Sequence, residues 1–280
     1  MTDGAAVAGL RIYPVKGLRG IPVEEARVGR LGLDGDRRWM VVTPDGRFVT
    51  QRQNGRMALV DALPAPDGGL RLRLDGEEQA VERPGADGER MAVTVWGSTV
   101  AAVAAGAEAD RWLSAALEQP CRLVFMADER ARKVEAGYDA GDDHVSFADG
   151  FPLLATGTGS LAALNAALAA NGGTAVPMDR FRPNLVMEGV PAWHEDGWGG
   201  MRAGTTRFRV AKPCSRCVVV TRDQRTGTVP HPGEPLRTLG RLNRTAAGIM
   251  FGINLIPDGE GVIRVGDVVV PEGGAAAGPA

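Results

Sequence analysis

Lysine is nearly missing from this chain: it occurs only at positions 16, 133 and 212, beside 29 arginines. Lys16 falls in a motif described below, and Lys212 directly precedes another. Cysteine is scarce too. Cys121, Cys214 and Cys217 are too few and too unevenly placed for a disulfide framework, so a reducing, cytoplasmic setting is expected. No stretch reaches the ~18 apolar residues that span a bilayer, and Met1 to Leu10 lacks the basic and apolar regions of a signal peptide. An excess charge of one sign is absent as well. The net charge is −2 and the pI about 6.0, which argues against nucleic acid or a membrane as the main partner but leaves room for a local basic site. The three histidines, His144, His194 and His231, form no Ser/His/Asp or Cys/His arrangement; His194 reads as a surface residue.

What is present describes a globular protein. The 280 residues, 44% hydrophobic and 24% charged, suit one large domain or two modest ones. The 39 glycines and 18 prolines imply many tight turns and short strands. Strands are predicted over 10–15, 38–43 and 47–50, the latter two joined by Pro44-Asp45-Gly46. Leu70 to Leu74 alternates apolar residues with arginines, as a half-buried strand does. Further strands are expected over 91–96, 100–104, 121–126, 184–188, 205–210, 217–221, 249–256 and 262–270, with a bulge at Gly266-Asp267. Helical spacing marks 108–119, stopped by Pro120, then 160–170 and 236–243. Residues 127–149 read as a long mobile loop and 273–280 as a disordered tail. The fold class expected is mainly β with a few helices (α+β). The division expected is 7–105, a β-barrel-like N-terminal domain, and 106–272, a second β-barrel domain.

Three motifs carry chemistry. Gly157-Thr158-Gly159-Ser160-Leu161-Ala162 fits a dinucleotide-binding G-x-G-x-x-A, but the surrounding sequence lacks the expected βαβ repeats. Its free N–H groups could meet an anion, or the segment could be a helix start without ligand. Cys214-Ser215-Arg216-Cys217 admits a zinc site, a thiol–disulfide pair, a single metal-binding thiolate, or two half-buried cysteines. Zinc lacks partner ligands, and a redox pair would want a helix after the motif where a strand is expected. In an extended segment the two thiols point to opposite faces, so with Cys217 on a metal Cys214 would be a packing residue. Arg180-Phe181-Arg182-Pro183-Asn184, with Arg37, Arg38, Arg52 and Arg56, supplies guanidinium forks suited to phosphate.

In order along the chain, Tyr13-Pro14-Val15-Lys16-Gly17-Leu18-Arg19-Gly20, Gly35-Asp36-Arg37-Arg38-Trp39-Met40-Val41, Thr50-Gln51-Arg52, Phe181-Arg182-Pro183-Asn184, Pro213-Cys214-Ser215-Arg216-Cys217 and Arg264-Val265-Gly266-Asp267 resemble the MOSC family. The branch is the one with an N-terminal β-barrel domain, which includes the mitochondrial amidoxime-reducing components and bacterial relatives. The resemblance implies a molybdenum cofactor (Mo-molybdopterin) between two domains, with Cys217 as the molybdenum ligand. Lys16, Arg37, Arg182 and Asn184 would hold the pterin and its phosphate, joined by Thr158 and Ser160. Gly17 departs from a serine common in the family. No iron–sulfur cysteine cluster and no mitochondrial anchor are seen, so electrons are expected from a separate ferredoxin- or cytochrome-type protein with its reductase. The activity implied is two-electron reduction of N-oxygenated small molecules. A molybdenum cofactor carrier or sulfur-transfer module, and a thiol–disulfide protein, are the alternatives.

Overall fold

The computed structural model describes residues 4–85 and 87–274, so residues 275–280 of the expected tail lie outside it. Among the described residues strands dominate, with three α-helices: α1 (Ala107–Leu117), α2 (Thr158–Ala170) and α3 (Leu236–Leu242). The alternation at Leu70–Leu74 is realised in full, leucines inward and Arg71 and Arg73 outward.

The largest sheet runs Val269–Glu272, Gly200–Ala203, Thr206–Ser215, Gly248–Pro257, Leu153–Gly157, Leu185–Glu188, Ala6–Ile12, Ile21–Val23. Leu153–Gly157 and Leu185–Glu188 are its parallel pair, and α2 lies in the crossover between them. One βαβ unit therefore does exist around the Gly157 motif, set in a sheet whose other pairs are antiparallel. A second sheet orders Arg90–Val95, Ser98–Ala104, Arg122–Phe125, Trp39–Val42 and Val15–Lys16. The sheets interleave the segments on either side of residue 105: Ala6–Ile12 pairs with Leu185–Glu188, and Glu25–Gly29 with Gly261–Arg264.

Leu10, Met201, Phe208, Ile253 and Ile263 form the core of the first sheet; Trp39, Leu72, Leu113 and Leu123 form that of the second with α1. Each such side chain contributes roughly 1.5–3 kcal/mol by leaving water. α2 and α3 bury Leu164, Leu168 and Leu239 against Phe181 and Phe251, whose rings stack at 3.8 Å.

Four expected elements differ: residues 47–50 form only isolated bridges, Arg47 with Thr94 and Phe48 with Val42, and three others change for local reasons. The strand expected over 10–15 breaks at Tyr13-Pro14 into Ala6–Ile12 and Val15–Lys16, which join different sheets. Pro14 has no N–H to give a ladder, and the Tyr13 N–H goes instead to Asp36 Oδ1 at 2.8 Å. Residues 262–270 divide into Gly261–Arg264 and Val269–Glu272, because Gly266 at φ 91° turns the chain toward a different partner strand. Residues 217–221 are not a strand: Val218–Thr221 is a 3-10 turn, with the Val220 N–H on the Cys217 carbonyl at 3.2 Å.

The loop 127–149 is packed rather than loose. Val145 and Phe147 are fully buried, and the Arg132 guanidinium donates to the carbonyls of Ser146, Ala148 and Asp149. The Phe147 N–H reaches the Arg37 carbonyl at 3.0 Å, which fixes the end of the loop beside the site described next.

Candidate functional site

A cleft of about 1000 Å³, open to solvent, collects Lys16, Arg37, Arg52, Arg182, Asn184, Cys214, Arg216 and Cys217 from segments distant in sequence. The chain break at Tyr13-Pro14 delivers Lys16 to one wall. The packed end of the 127–149 loop supplies Ala148 and Asp149 to another.

The floor is a hydrogen-bonded frame around Asp36, which is 1% exposed. Its carboxylate accepts from Arg37 Nη1 at 2.5 Å and from Asn184 Nδ2 at 3.0 Å, besides the Tyr13 N–H. Asn184 also donates to the Arg11 carbonyl, and its Oδ1 accepts from Arg37 Nη1 and the Leu154 N–H. Its amide is thus fully committed. Asn184 lines the cleft, but its work in this structure is to hold Arg37 in place. Tyr13 lies between two guanidiniums, Arg37 at 4.3 Å and Arg182 at 4.4 Å from its ring centre. Both arginines adopt left-handed backbone, φ 48° and φ 54°. Such a conformation costs a non-glycine residue roughly 1–2 kcal/mol and concentrates at functional sites.

The charge is unbalanced. Lys16 pairs with Asp149 at 2.5 Å and Arg37 with Asp36. Arg182 binds Leu18 and Gln224 oxygens and has no carboxylate partner among the described residues. Burial, with Arg37 adding to it, pulls the Arg182 pKa down to about 10. Burial lowers Lys16 as well, against the opposing pull of Asp149. Asp149 lies within the cleft yet open to water. Desolvation there is outweighed by Lys16 and by the Trp96 indole N–H at 3.0 Å, and its carboxyl is held well below the usual range. A chain of net charge −2 has gathered a surplus of unpaired guanidinium at one concave place.

Cys214 and Cys217 both line this cleft, which corrects the expectation that they face opposite ways. The strand Thr206–Ser215 is irregular between Pro213 and Ser215 and ends before Cys217, so strict strand alternation does not run from one thiol to the other. Cys214 is therefore not a core packing residue. Its sulfur accepts from Arg216 Nη1 at 2.9 Å, while Arg216 Nη2 donates to the Phe181 carbonyl and its buried Nε has no partner among the described residues. Thiols suit a soft metal, and spare guanidinium N–H groups suit a phosphate; the donor set fits a phosphorylated, metal-bearing group.

Thr158 and Ser160 do not reach the cleft. Ser160 is wholly buried and donates to Glu195 Oε1 at 2.6 Å, and the Gly157 N–H meets the same oxygen at 3.1 Å. Of the two readings left open for the start of α2, neither an external anion nor a partnerless helix start is seen: the Gly157 N–H and the Ser160 hydroxyl meet the protein's own carboxylate. Asp36, Asp149, Trp96 and Phe48 were not foreseen as site residues. Asp36 could have been noticed as an acid inside an arginine-rich segment; the other three carry no local signal.

The fold and this site define a MOSC protein with an N-terminal β-barrel domain, and the chain belongs to that family. Residues 4–120 match the MOSC N-terminal beta barrel domain, and residues 142–270 the MOSC domain. Among relatives, the chain is 34% identical to mitochondrial amidoxime-reducing component 1 of Xenopus laevis, over 94% of this chain and 81% of that one. The human protein of the same name is 30% identical over 94% of this chain and 82% of its own. Molybdenum cofactor sulfurase of Solanum lycopersicum is 27% identical over 94% of this chain but 35% of its own length. Among the described residues no helix is long and apolar enough to cross a membrane.

Proposed function

We propose that this protein is a molybdenum-cofactor-dependent reductase of N-oxygenated small molecules. One observation carries the reading: two thiols and a surplus of unpaired guanidinium share one cleft. The relatives named as amidoxime-reducing components support it. Cys217 would hold the metal as thiolate. Arg182 and Arg37 would take the phosphate on their spare N–H groups, and Asn184 would keep Arg37 aimed. Lys16 would hold a proton on Nζ at the cleft wall, with Asp149 as its counter-ion. When bound, the cofactor supplies a two-electron redox centre. The substrate gains two electrons and two protons, its N–O bond breaks, and water leaves. The electrons come from a separate redox protein.

The sulfurase likeness supports a second reading, cofactor handling or sulfur transfer without substrate turnover. Both readings are tested on freshly purified protein by molybdenum and pterin analysis, followed by reduction of benzamidoxime with an artificial donor. Molybdenum with turnover supports the reductase. Molybdenum without turnover favours handling or transfer. No molybdenum, even after incubation with free cofactor, overturns both.

A further inference from the structure

The cleft mouth carries a feature that the fold does not need. Arg90–Val95 and Ser98–Ala104 form a hairpin whose two loop residues are Trp96 and Gly97, since Val95 pairs with Ser98. Trp96 sits at φ 52°, a position where glycine or asparagine is ordinarily found. It is 42% exposed, so the fold gains little from its large apolar surface. Backbone strain and hydration cost are both accepted at one tip.

This tip is held in place. Gly46, at φ 83°, lets the 44–46 turn lie against Arg90–Val95, where a side-chain Cβ would meet the Ala92 carbonyl at 2.5 Å. The Thr94 N–H reaches the Gly46 carbonyl at 2.8 Å and the Phe48 N–H reaches the Thr94 carbonyl at 3.3 Å. Phe48 is thereby fixed beside Trp96, ring centres 5.1 Å apart and tilted by 57°. Arg52 lies over the Trp96 ring at 4.9 Å, and among the described residues its guanidinium has no ion-pair partner. All three residues line the same cleft as Cys214 and Cys217.

We propose that Trp96, Phe48 and Arg52 form a substrate shelf. It takes the planar aromatic end of an N-oxygenated substrate, with Arg52 meeting a carboxylate or similar anion on that ring. The inference rests on the reductase reading and deepens it by naming the substrate class. Aromatic faces supply sequence-tolerant stacking, and an unpaired guanidinium beside them selects an anionic substituent.

The test uses the purified holoprotein and three substrates: acetamidoxime, benzamidoxime and 4-carboxybenzamidoxime. KM is measured for each, together with molybdenum content and the calorimetric Kd of 4-carboxybenzamidine. Trp96→Ala is expected to raise KM about tenfold for both aromatic substrates and to leave acetamidoxime within about twofold. Trp96→Phe keeps a ring but loses the N–H to Asp149, and is expected to stay within about threefold of the parent. Arg52→Gln should weaken only the carboxylated compounds, by about fivefold. An equal rise for acetamidoxime overturns the shelf. So does Trp96→Phe behaving like Trp96→Ala, which would put the effect on the Asp149 bond, and so does loss of molybdenum, which would place the shelf with the cofactor. If the parent reduces none of the three substrates, the reductase reading fails and calorimetry alone decides the shelf. Tighter binding of 4-carboxybenzamidine to the parent than to either Trp96→Ala or Arg52→Gln then supports it, and equal binding overturns it.

Discussion

Two places in this molecule are built to meet an anion, and they differ in whether the anion is already there. At the start of α2, Glu195 is fully buried and occupies the donors of Gly157 and Ser160. In the cleft, Arg182, Arg216 and Arg52 have no carboxylate of their own among the described residues. The first arrangement fastens a loop to a helix. The second leaves positive charge for something that is not part of the chain. Donor chemistry alone does not make a binding site; unclaimed donors do.

The comparison predicts opposite results when each place is damaged. In the cleft, function should fall and stability should hold. Cys217→Ser is expected to lower reduction of N-hydroxy substrates by at least about a hundredfold, removing a metal ligand while leaving the thermal midpoint near that of the parent. Cys214→Ser sharpens the point, because both sulfurs line the cleft. It should keep molybdenum but lose the Arg216 contact, with a smaller loss of turnover. A metal-edge spectrum that loses a sulfur neighbour in Cys214→Ser and not in Cys217→Ser would reverse the assignment.

Arg182→Ala should come next in size. It removes charge-assisted bonds of ~1.5–3 kcal/mol, so cofactor affinity should fall about 10- to 100-fold, read as pterin content after dialysis. The fold should persist, since among the described residues the guanidinium's hydrogen bonds go only to the Leu18 carbonyl and Gln224, besides its stacking on the Tyr13 ring. Unchanged pterin content would mean that the charge surplus serves something else.

At α2 the signs invert. Glu195→Ala leaves the Ser160 O–H donor and the Gly157 N–H without their acceptor in the interior, while the Ser160 oxygen keeps the Trp193 N–H, a loss of ~2–3 kcal/mol in a urea titration. Pterin content at a temperature where the variant is folded should equal that of the parent. A fall in pterin content would return Ser160 and Thr158 to the cofactor site.

These contrasts also mark what could be read before the structure. The strand-rich fold, α1 with its stop before Pro120, and the convergence of Lys16, Arg37, Arg182 and the cysteine motif were legible, since each rests on residue type and spacing. The roles of Thr158 and Ser160 were not. A helix start advertises its N–H groups, but the partner carboxylate lies 35 residues away, brought close only by the fold. The cysteines were misread for a related reason. The β-branched run after Cys217 has strand propensity, yet its residues form a 3-10 turn that packs Val220 against Phe181 and Phe251. Tertiary burial decided the backbone after Cys217, and a strand irregularity between Pro213 and Ser215 broke the alternation on which the two-face reading rested.

The smallest expected effect separates Glu195 from its neighbour. Asp196 has no helix start to serve: its Oδ2 accepts from Asn243 Nδ2 at 2.6 Å, and its buried Oδ1 has no partner among the described residues. Burial raises its pKa from 3.8 to about 6, Glu195 adding to the shift and Asn243 opposing it. A carboxyl whose folded pKa exceeds its unfolded value favours folding only while protonated. Below about pH 4 both states carry the proton and the residue is neutral in effect; as pH rises from about 4 to 6 stability is lost, and above about 6 the penalty is complete. The full shift corresponds to ~3 kcal/mol, reduced to ~1–2 kcal/mol by the water that reaches this half-buried side chain. Asp196→Asn should therefore stabilise the protein by about 1 kcal/mol at pH 8 and change little at pH 4, in paired urea titrations. The amide can still accept from Asn243 and cannot ionise. A variant less stable than the parent at pH 8 would show that the charge itself is needed there, and that α3 is held by a second internal anion as α2 is by Glu195.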